Sequence, residues 1–221
     1  MSIINNILDS VEHYLITNPN IKAFIYTDNT LNQELTGNVK NDLVGTETQF
    51  IIQNNGLDLT SSEYPNFLLY RYLSFNGELR QIIAYDNLTG EVTIDSAFGI
   101  PITTSDSINI TLLDSIFIYE MNSFDDKNGT RLAQKTILPL YFRVTTKDDI
   151  KANRNKEIIE QIKNTFYSNN LSLKIYSDSN FVDFSGYLLG LNSQFNSNAI
   201  DIKNNDYTYL CSMLCSYYKR Y

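Results

Sequence analysis

Short runs of β-branched and aromatic residues, each ended by Gly, Asn, Asp or Pro, fill residues 45–113 of the chain. Such runs are typical of a hairpin meander, in which every strand leads into a tight turn. Asn76-Gly77 supports this interpretation, because both residue types tolerate the positive φ angles of a type I′ turn. The pattern therefore predicts a small all-β, barrel-like module. Its strands are predicted at 45–52, 64–72, 79–86, 88–95 and 107–112.

The residues outside this module favour a different architecture. Apolar residues recur at three- and four-residue spacing in 3–17 and 151–168, which predicts two amphipathic helices. Alternating or continuous apolar runs predict strands in the rest of these flanks, and the run at 207–218 is apolar on both faces, as in a central strand. The predicted strands are 21–26, 115–120, 137–145, 171–176, 181–192 and 207–218.

These elements predict an α+β fold, in which two helices pack on a mainly antiparallel sheet and a small all-β module is inserted. Residues 1–44 and 114–221 form the α+β part, and residues 45–113 form the insert. Residues 29–44 are polar and irregular, so we expect them to be a linker that leads into the module.

The second predicted helix follows Asp148 and Asp149, which suit the positive end of a helix dipole. Capping therefore explains both carboxylates without catalysis. The helix has one apolar and one charged side. We expect Ile158, Ile159, Ile162 and Phe166 to be buried, and Lys151, Arg154, Lys156, Glu157, Glu160 and Lys163 to face solvent.

A polar stretch separates the strands predicted at 115–120 and 137–145, and we expect it to be a long hairpin loop. One interpretation is a solvent-exposed loop, and the other is an arm that becomes ordered on a neighbouring subunit. The second interpretation makes this loop the candidate assembly interface. Its residues are Asp125, Asp126, Lys127, Asn128 and Arg131.

Composition restricts the possible functions. The chain has 221 residues, 43% of them hydrophobic, so it can bury a sizeable core. Its net charge of −8 argues against specific nucleic-acid binding, which needs clustered Lys and Arg. We expect no membrane partner, because no stretch approaches the roughly 20 apolar residues of a membrane helix. The first six residues lack the pattern of a secretory signal.

Residues suited to chemistry are few. The chain has no Gly-rich phosphate loop and no paired-cysteine motif, and His13 is its single histidine. Cys211 and Cys215 would lie about 13 Å apart on one strand, too far to bridge each other. We therefore expect no catalytic residue, no metal site and no cofactor. The 16 tyrosines suit either sheet packing or a platform for a carbohydrate or receptor.

The order of elements at about 1–30 and 115–221 resembles the tail terminator, or tail completion, proteins of long-tailed phages and phage tail-like particles. The resemblance lies in the first helix leading into strand 21–26, and in strand 140–147 running into helix 150–166. It also includes the strands around 184–187 and 207–218. The insert resembles a small β module common in phage structural proteins, at 64–69, 79–86, 89–95 and 101–108.

This resemblance implies a structural protein that caps the head-proximal end of a tail tube. It would end polymerisation of the tube, and of the sheath where a sheath exists. It implies a homo-oligomeric ring, expected to be a hexamer, whose partners are the tube protein and sheath or neck proteins. Such a collar belongs to a virion or to a tail-like bacteriocin, contractile or not, assembled in the bacterial cytoplasm. The alternatives are a head–tail connector or neck protein, and a carbohydrate- or receptor-binding module.

Overall fold

The chain divides into two compact units in a computed structural model. Residues 30–113 form one unit, the barrel unit, and residues 1–29 and 114–221 form the other, the α+β unit. The predicted mixed α+β class is confirmed, with most of the described backbone in strands. The structure describes residues 3–28, 34–53, 66–122, 124–130, 133–147, 153–167, 175–177, 180–182, 189–203 and 206–220.

Two helices and fourteen strands occur within these residues. The helices are α1 (Ile3–Ile16) and α2 (Asn153–Tyr167). The strands are β1 (Phe24–Tyr26), β2 (Leu35–Val39), β3 (Gln49–Gln53), β4 (Tyr72–Phe75), β5 (Glu78–Asp86), β6 (Glu91–Ile94), β7 (Ile108–Thr111), β8 (Asp114–Glu120), β9 (Phe124–Thr130), β10 (Ala133–Lys147), β11 (Ile175–Ser177), β12 (Asn180–Val182), β13 (Leu189–Lys203) and β14 (Asp206–Arg220).

The barrel unit is a closed antiparallel barrel with the strand order β2-β3-β6-β5-β4-β7. Closure pairs both edges of the sheet, so the small sheet has no open edge to protect. Asn76 and Gly77 join β4 to β5 with φ angles of 51° and 80°, as predicted for a type I′ turn. The strands alternate, and their inward side chains include Leu73, Ile82, Val92, Ile94, Ile108 and Ile110.

The barrel begins earlier than the sequence suggested. The prediction of a linker at 29–44 is wrong for β2, which pairs with both β3 and β7. Gly37 and Asn38 lower the intrinsic strand propensity of this segment. The barrel nevertheless requires Gly37, because a Cβ there would lie 2.7 Å from a side-chain carbon of Ile52. Tertiary packing therefore overrides local propensity at β2.

The strand predicted at 64–72 is also mostly wrong. Residues 66–70 form consecutive turns, and β4 begins only at Tyr72. The amide of Leu69 donates to the carbonyl of Asn66, and that of Arg71 donates to the carbonyl of Leu68. Residues 64 and 65 lie outside the described part of the chain.

The α+β unit contains a six-stranded sheet with the order β1-β8-β10-β14-β13, to which β9 is added along β10. Only β1 and β8 pair in parallel among its described strands. The prediction that the last strand is central is confirmed, because β14 lies between β10 and β13. A parallel pair needs a long crossover connection. Here the chain makes the whole barrel unit between β1 and β8.

Both helices contribute to the same hydrophobic core as this sheet. The apolar stripe predicted for α2 is confirmed, since Ile158, Ile159, Ile162 and Phe166 are all buried. The described apolar side chains of α1 that are buried are Ile7, Leu8, Val11 and Leu15. Phe142 of β10 packs against Phe166, with ring centroids 5.9 Å apart.

The polar hairpin loop predicted before β10 is in fact mostly a strand. In β9, Asp125 lies beside Thr136 and Asp126 lies beside Lys135. Backbone pairing does not require apolar side chains at the edge of a sheet, so a polar sequence hides such a strand. Arg131, Asp148, Asp149 and Lys151 lie outside the described residues, as do the strand residues predicted at 171–174 and 183–188.

Candidate functional site

The two faces of the α+β sheet differ in chemistry. Along β10, Leu140, Phe142 and Val144 point into the core and are fully buried. Tyr141 and Arg143, at the alternate positions, are only half-buried. Because side chains alternate along a strand, these two lie on the opposite face. The same alternation occurs on β8 and β14, so this second face extends over several strands.

A continuous row of five aromatic rings crosses this second face. The cross-strand pairs are Tyr141 with Tyr119, 5.4 Å between centroids, and Phe117 with Tyr26, 5.0 Å. Two same-strand pairs complete it, Phe117 with Tyr119 and Phe24 with Tyr26, at 5.3 and 5.4 Å. All four pairs are stacked, with interplanar angles of 19° to 29°. We call these residues the aromatic row.

The row passes from the interior of the molecule to its surface. Phe24 and Tyr26 are each only 2% exposed. Phe117, Tyr119 and Tyr141 are half-buried, so the β8–β10 end of the row is accessible. The accessible end can contact another molecule without any rearrangement of the buried end.

Arg143 adds a positive charge to the accessible end. Its guanidinium carbon lies 5.0 Å from the centroid of the Phe117 ring, a cation–π contact. In the sheet register Arg143 lies between Phe117 and Leu210, which are both neutral. Among the side chains that the structure describes, no carboxylate pairs with Arg143. Lys147, further along the strand, lies beside Asp206 in the register.

This combination suits contact with a protein better than contact with a sugar. A sugar ring stacks on the open face of an aromatic ring, whereas the faces within the row are occupied by neighbouring rings. Half-buried aromatic residues beside an arginine are characteristic of the centre of a protein–protein interface.

The N-terminus of α2 contacts residues at or near the ends of several strands of this sheet. Arg154, predicted to face solvent, has a side chain that is 43% exposed, and it also donates hydrogen bonds to both carboxylate oxygens of Asp114 and to the carbonyl of Lys147. The buried Asn155 side chain donates to the carbonyls of Val144 and Tyr207, at 3.2 and 2.9 Å. These contacts connect α2 to β8, β10 and β14.

The pKa of several titratable groups outside the aromatic row is perturbed. The pKa of Glu12 is raised to about 7, mainly by burial and also by the nearby Asp9 carboxylate, while a hydrogen bond from Thr27 opposes both effects. Burial also raises the pKa of the Cys211 and Cys215 thiols, to about 11 and about 12. Both cysteines are free thiols. Neither is a thiolate nucleophile at neutral pH.

A polar depression of about 330 Å³ lies where α1 ends beside α2. Its lining includes Asn18, Gln161 and Thr165, and the Asn18 amide donates to the Thr165 hydroxyl at 2.6 Å. Amides and hydroxyl groups supply no general base here. Within the described ranges, no three His, Cys, Asp or Glu side chains are grouped to hold a metal ion. No described helix is long and apolar enough to cross a membrane.

The predicted assembly residues are not part of the aromatic row. Asp125, Asp126, Lys127 and Asn128 belong to β9, which pairs with β10 at 133–137, before Tyr141 is reached. Sequence reasoning missed the row, although Phe24/Tyr26 and Phe117/Tyr119 both show aromatic alternation. The missing information was the register, which aligns Tyr26 with Phe117 and Tyr119 with Tyr141.

No protein-family model matches the chain, and no curated protein is significantly similar to it.

Proposed function

We propose that this chain is a structural subunit of a ring that caps the head-proximal end of a tail tube, in a phage or a phage tail-like particle. In this role it is a tail terminator, or collar, that ends tube polymerisation, and sheath polymerisation where a sheath exists. The ring contains several copies of the chain, most simply six, and has one side complementary to the tube. It performs no catalysis.

The observation that carries the proposal is the aromatic row with Arg143 on one face of the α+β sheet. A ring subunit has to bury an extensive surface against its neighbours. Half-buried rings, an arginine and no described carboxylate partner give this face the composition of such a surface. We also propose that α1 and α2 form one layer on the sheet and that the aromatic row covers the other side of the sheet.

The long β9–β10 hairpin supports an assembly role as a second feature. β10 has 15 residues, and β8 pairs only with its second half, from Leu140 onward. The first half pairs with β9 and β14. We propose that Asp125, Asp126, Lys127, Asn128 and Arg131 contact the tube or a neighbouring copy from this hairpin.

A head–tail connector or neck protein is the second candidate within the same class, because it too forms a ring from sheet surfaces. A carbohydrate-binding module is less favoured, since stacking within the row leaves few free ring faces. Tail length separates the first two candidates: a connector acts after the tube is complete, whereas a terminator sets where the tube ends.

The ring is tested by size-exclusion chromatography with multi-angle light scattering, over protein concentrations from about 1 to 100 μM, a range that covers ordinary assembly affinities. We expect a discrete oligomer several times the 25.4 kDa of the chain, and ring-shaped particles in electron micrographs. A monomer at every concentration would contradict the proposal.

A further inference from the structure

We propose that strand β13 of one copy pairs, through its backbone, with the β8–β9 edge of the next copy, so that the α+β sheets of neighbouring copies become one continuous sheet. This inference rests on the proposed ring and specifies the contact that builds it. The occupant of each edge is thus a second copy of this chain.

The α+β sheet has two long edges. Among the strands that the structure describes, β13 has a neighbour on one side only, β14. At the other edge β1 pairs only with residues 115–117 of β8. From Ile118 to Thr130, no described strand lies along the outer side of β8 and β9. An open strand edge exposes backbone donors and acceptors that can pair with another chain.

The directions of the strands permit this pairing. The strands β8 and β9 are antiparallel to β10, β10 is antiparallel to β14, and β14 is antiparallel to β13. The two edges of the sheet therefore run in opposite directions. All copies in a ring are oriented alike, so β13 of one copy meets the β8–β9 edge of the next in antiparallel orientation. The alternation then continues from copy to copy without a break.

The charges of the two edges favour unlike edges over like edges. The β8–β9 edge contains Glu120, Asp125 and Asp126, so two such edges would bring like charges together. Strand β13 has no charged residue and no proline from Leu189 to Ile200. Charged residues and proline are common protection of an exposed edge strand, and this stretch lacks both. It is therefore suited to pair with the charged edge of another copy.

A contact between unlike edges is heterologous. Heterologous contacts repeat from copy to copy and close into a ring when the rotation between copies permits it. Closure of the ring would then cover every one of these edges, as closure of the barrel unit covers the edges of its smaller sheet.

Hydrogen-bond geometry identifies an outward amide on the β8–β9 edge. The amide of Met121 donates to the carbonyl of Pro139 at 3.0 Å, so it points toward β10. Hydrogen-bonded pairs alternate along antiparallel strands. The amide and carbonyl of Glu120, the preceding residue, therefore point away from β10 and toward the open edge.

The same alternation identifies an outward amide on β13. Because Pro139 and Tyr141 face β8, Phe142 directs its backbone groups toward β14, where Cys211 lies opposite it. Cys211 thus uses its own backbone groups toward β10. Ser197, which lies opposite Cys211 on β13, has its amide and carbonyl pointing away from β14.

The first test compares proline with alanine at these two positions, by light scattering of the full chain. Glu120→Pro and Ser197→Pro each remove one outward amide and no hydrogen bond within the sheet, whereas Glu120→Ala and Ser197→Ala keep the amide. We expect association of each proline variant to be at least about 10-fold weaker than that of its alanine counterpart, because an acceptor in the contact loses its donor.

The second test mixes the two proline variants. Glu120→Pro retains an intact β13 edge, and Ser197→Pro retains an intact β8–β9 edge, so one productive contact forms between them and no ring can close. We expect an equimolar mixture to contain a heterodimer of twice the 25.4 kDa of the chain, at concentrations where each variant alone is monomeric.

Circular dichroism checks that each variant is folded. A ring that persists in both folded proline variants overturns this inference and leaves the proposed function standing. Loss of association in Ser197→Pro alone would indicate that β13 pairs with itself, and dissociated variants that form no heterodimer would indicate another contact; both results overturn the inference. If a proline variant is unfolded, hydrogen exchange of the wild type decides. Amides in 118–130 and 189–203 should exchange more slowly in the ring than in the monomer, and equal exchange overturns the inference. A wild-type chain that is monomeric throughout overturns the ring itself, and the inference with it.

Discussion

Arg154 and Asp114 form a bidentate ion pair, in which the guanidinium Nε lies 3.0 Å from one carboxylate oxygen and Nη2 lies 3.0 Å from the other. Asp114 is the first residue of β8, where the chain returns from the barrel unit, and it is 4% exposed. Arg154 also binds the carbonyl of Lys147, at the end of β10. The pair therefore connects the start of β8, the end of β10 and the first turn of α2.

Loss of this arginine should destabilise the α+β unit. Arg154→Ala leaves the buried Asp114 carboxylate without its main donor, and we expect the free energy of unfolding to fall by about 2 kcal/mol. Chemical denaturation followed by circular dichroism measures the change. Lys156→Ala, two residues further along α2 and exposed, is the control and should change stability by less than about 0.5 kcal/mol. Equal stability of both variants would show that the pair contributes little.

The barrel unit contains a glycine that no other residue can replace without strain. Gly45 has a φ of 95°, and a Cβ there would lie 2.7 Å from the carbonyl carbon and oxygen of Ile100. Gly99 has a φ of 74°, but nothing lies within 4 Å of its Cβ position. We expect Gly45→Ala to cost about 3 kcal/mol and Gly99→Ala only about 1 kcal/mol. Thermal unfolding of the two variants, each compared with wild type, tests this difference.

Stability should depend on pH through Glu12. Its folded pKa of about 7 lies above the ordinary value of 4.5, so the folded state binds the proton more tightly than the unfolded state does. Stability is therefore lost as the pH rises from about 4.5 to about 7. Glu12→Gln should raise the free energy of unfolding at pH 8, by on the order of 2 kcal/mol, and change it little at pH 4. Glu160→Gln, at an exposed carboxylate, should have no such effect, and a pH-independent Glu12→Gln difference would contradict this account.

The α+β unit should fold without the barrel unit. The two hydrophobic clusters share no residue. Replacement of residues 30–113 by about twelve Gly/Ser residues leaves enough chain for the crossover between β1 and β8, which are parallel. We expect a soluble protein with cooperative denaturation. If circular dichroism shows that the shortened chain is unfolded, the barrel unit is required for the folding of the α+β unit.

Periodic features of the fold were predictable from the sequence, and features set by register were not. The apolar stripe of α2 and the turn at Asn76-Gly77 follow from local spacing, and both are observed. The strand β9 was missed because its residues are polar and its stability comes from pairing with β10. The ion pair of Arg154 was missed because helical spacing alone does not reveal Asp114, which is 40 residues away in sequence.

The same limit applied to the candidate site. Alternation placed single aromatic residues on strands, but the row exists only because β1, β8 and β10 align in one register. The assembly residues chosen from the sequence, on β9, were selected for polarity and loop length. Polarity marks exposure, whereas interfaces select aromatic residues and arginine. The register therefore changed which surface is the better candidate.

The length of tails made without this protein tests the capping role most directly. In a strain that lacks the gene, electron micrographs should show overlong, irregular tubes, because nothing stops growth at the last ring. Ile159→Asp should reproduce this result, since a charge on the buried stripe of α2 costs several kcal/mol and removes the folded subunit. Tails of normal, uniform length in the deletion strain would contradict the account, and normal tails that no longer attach to cells would indicate a receptor-binding module instead.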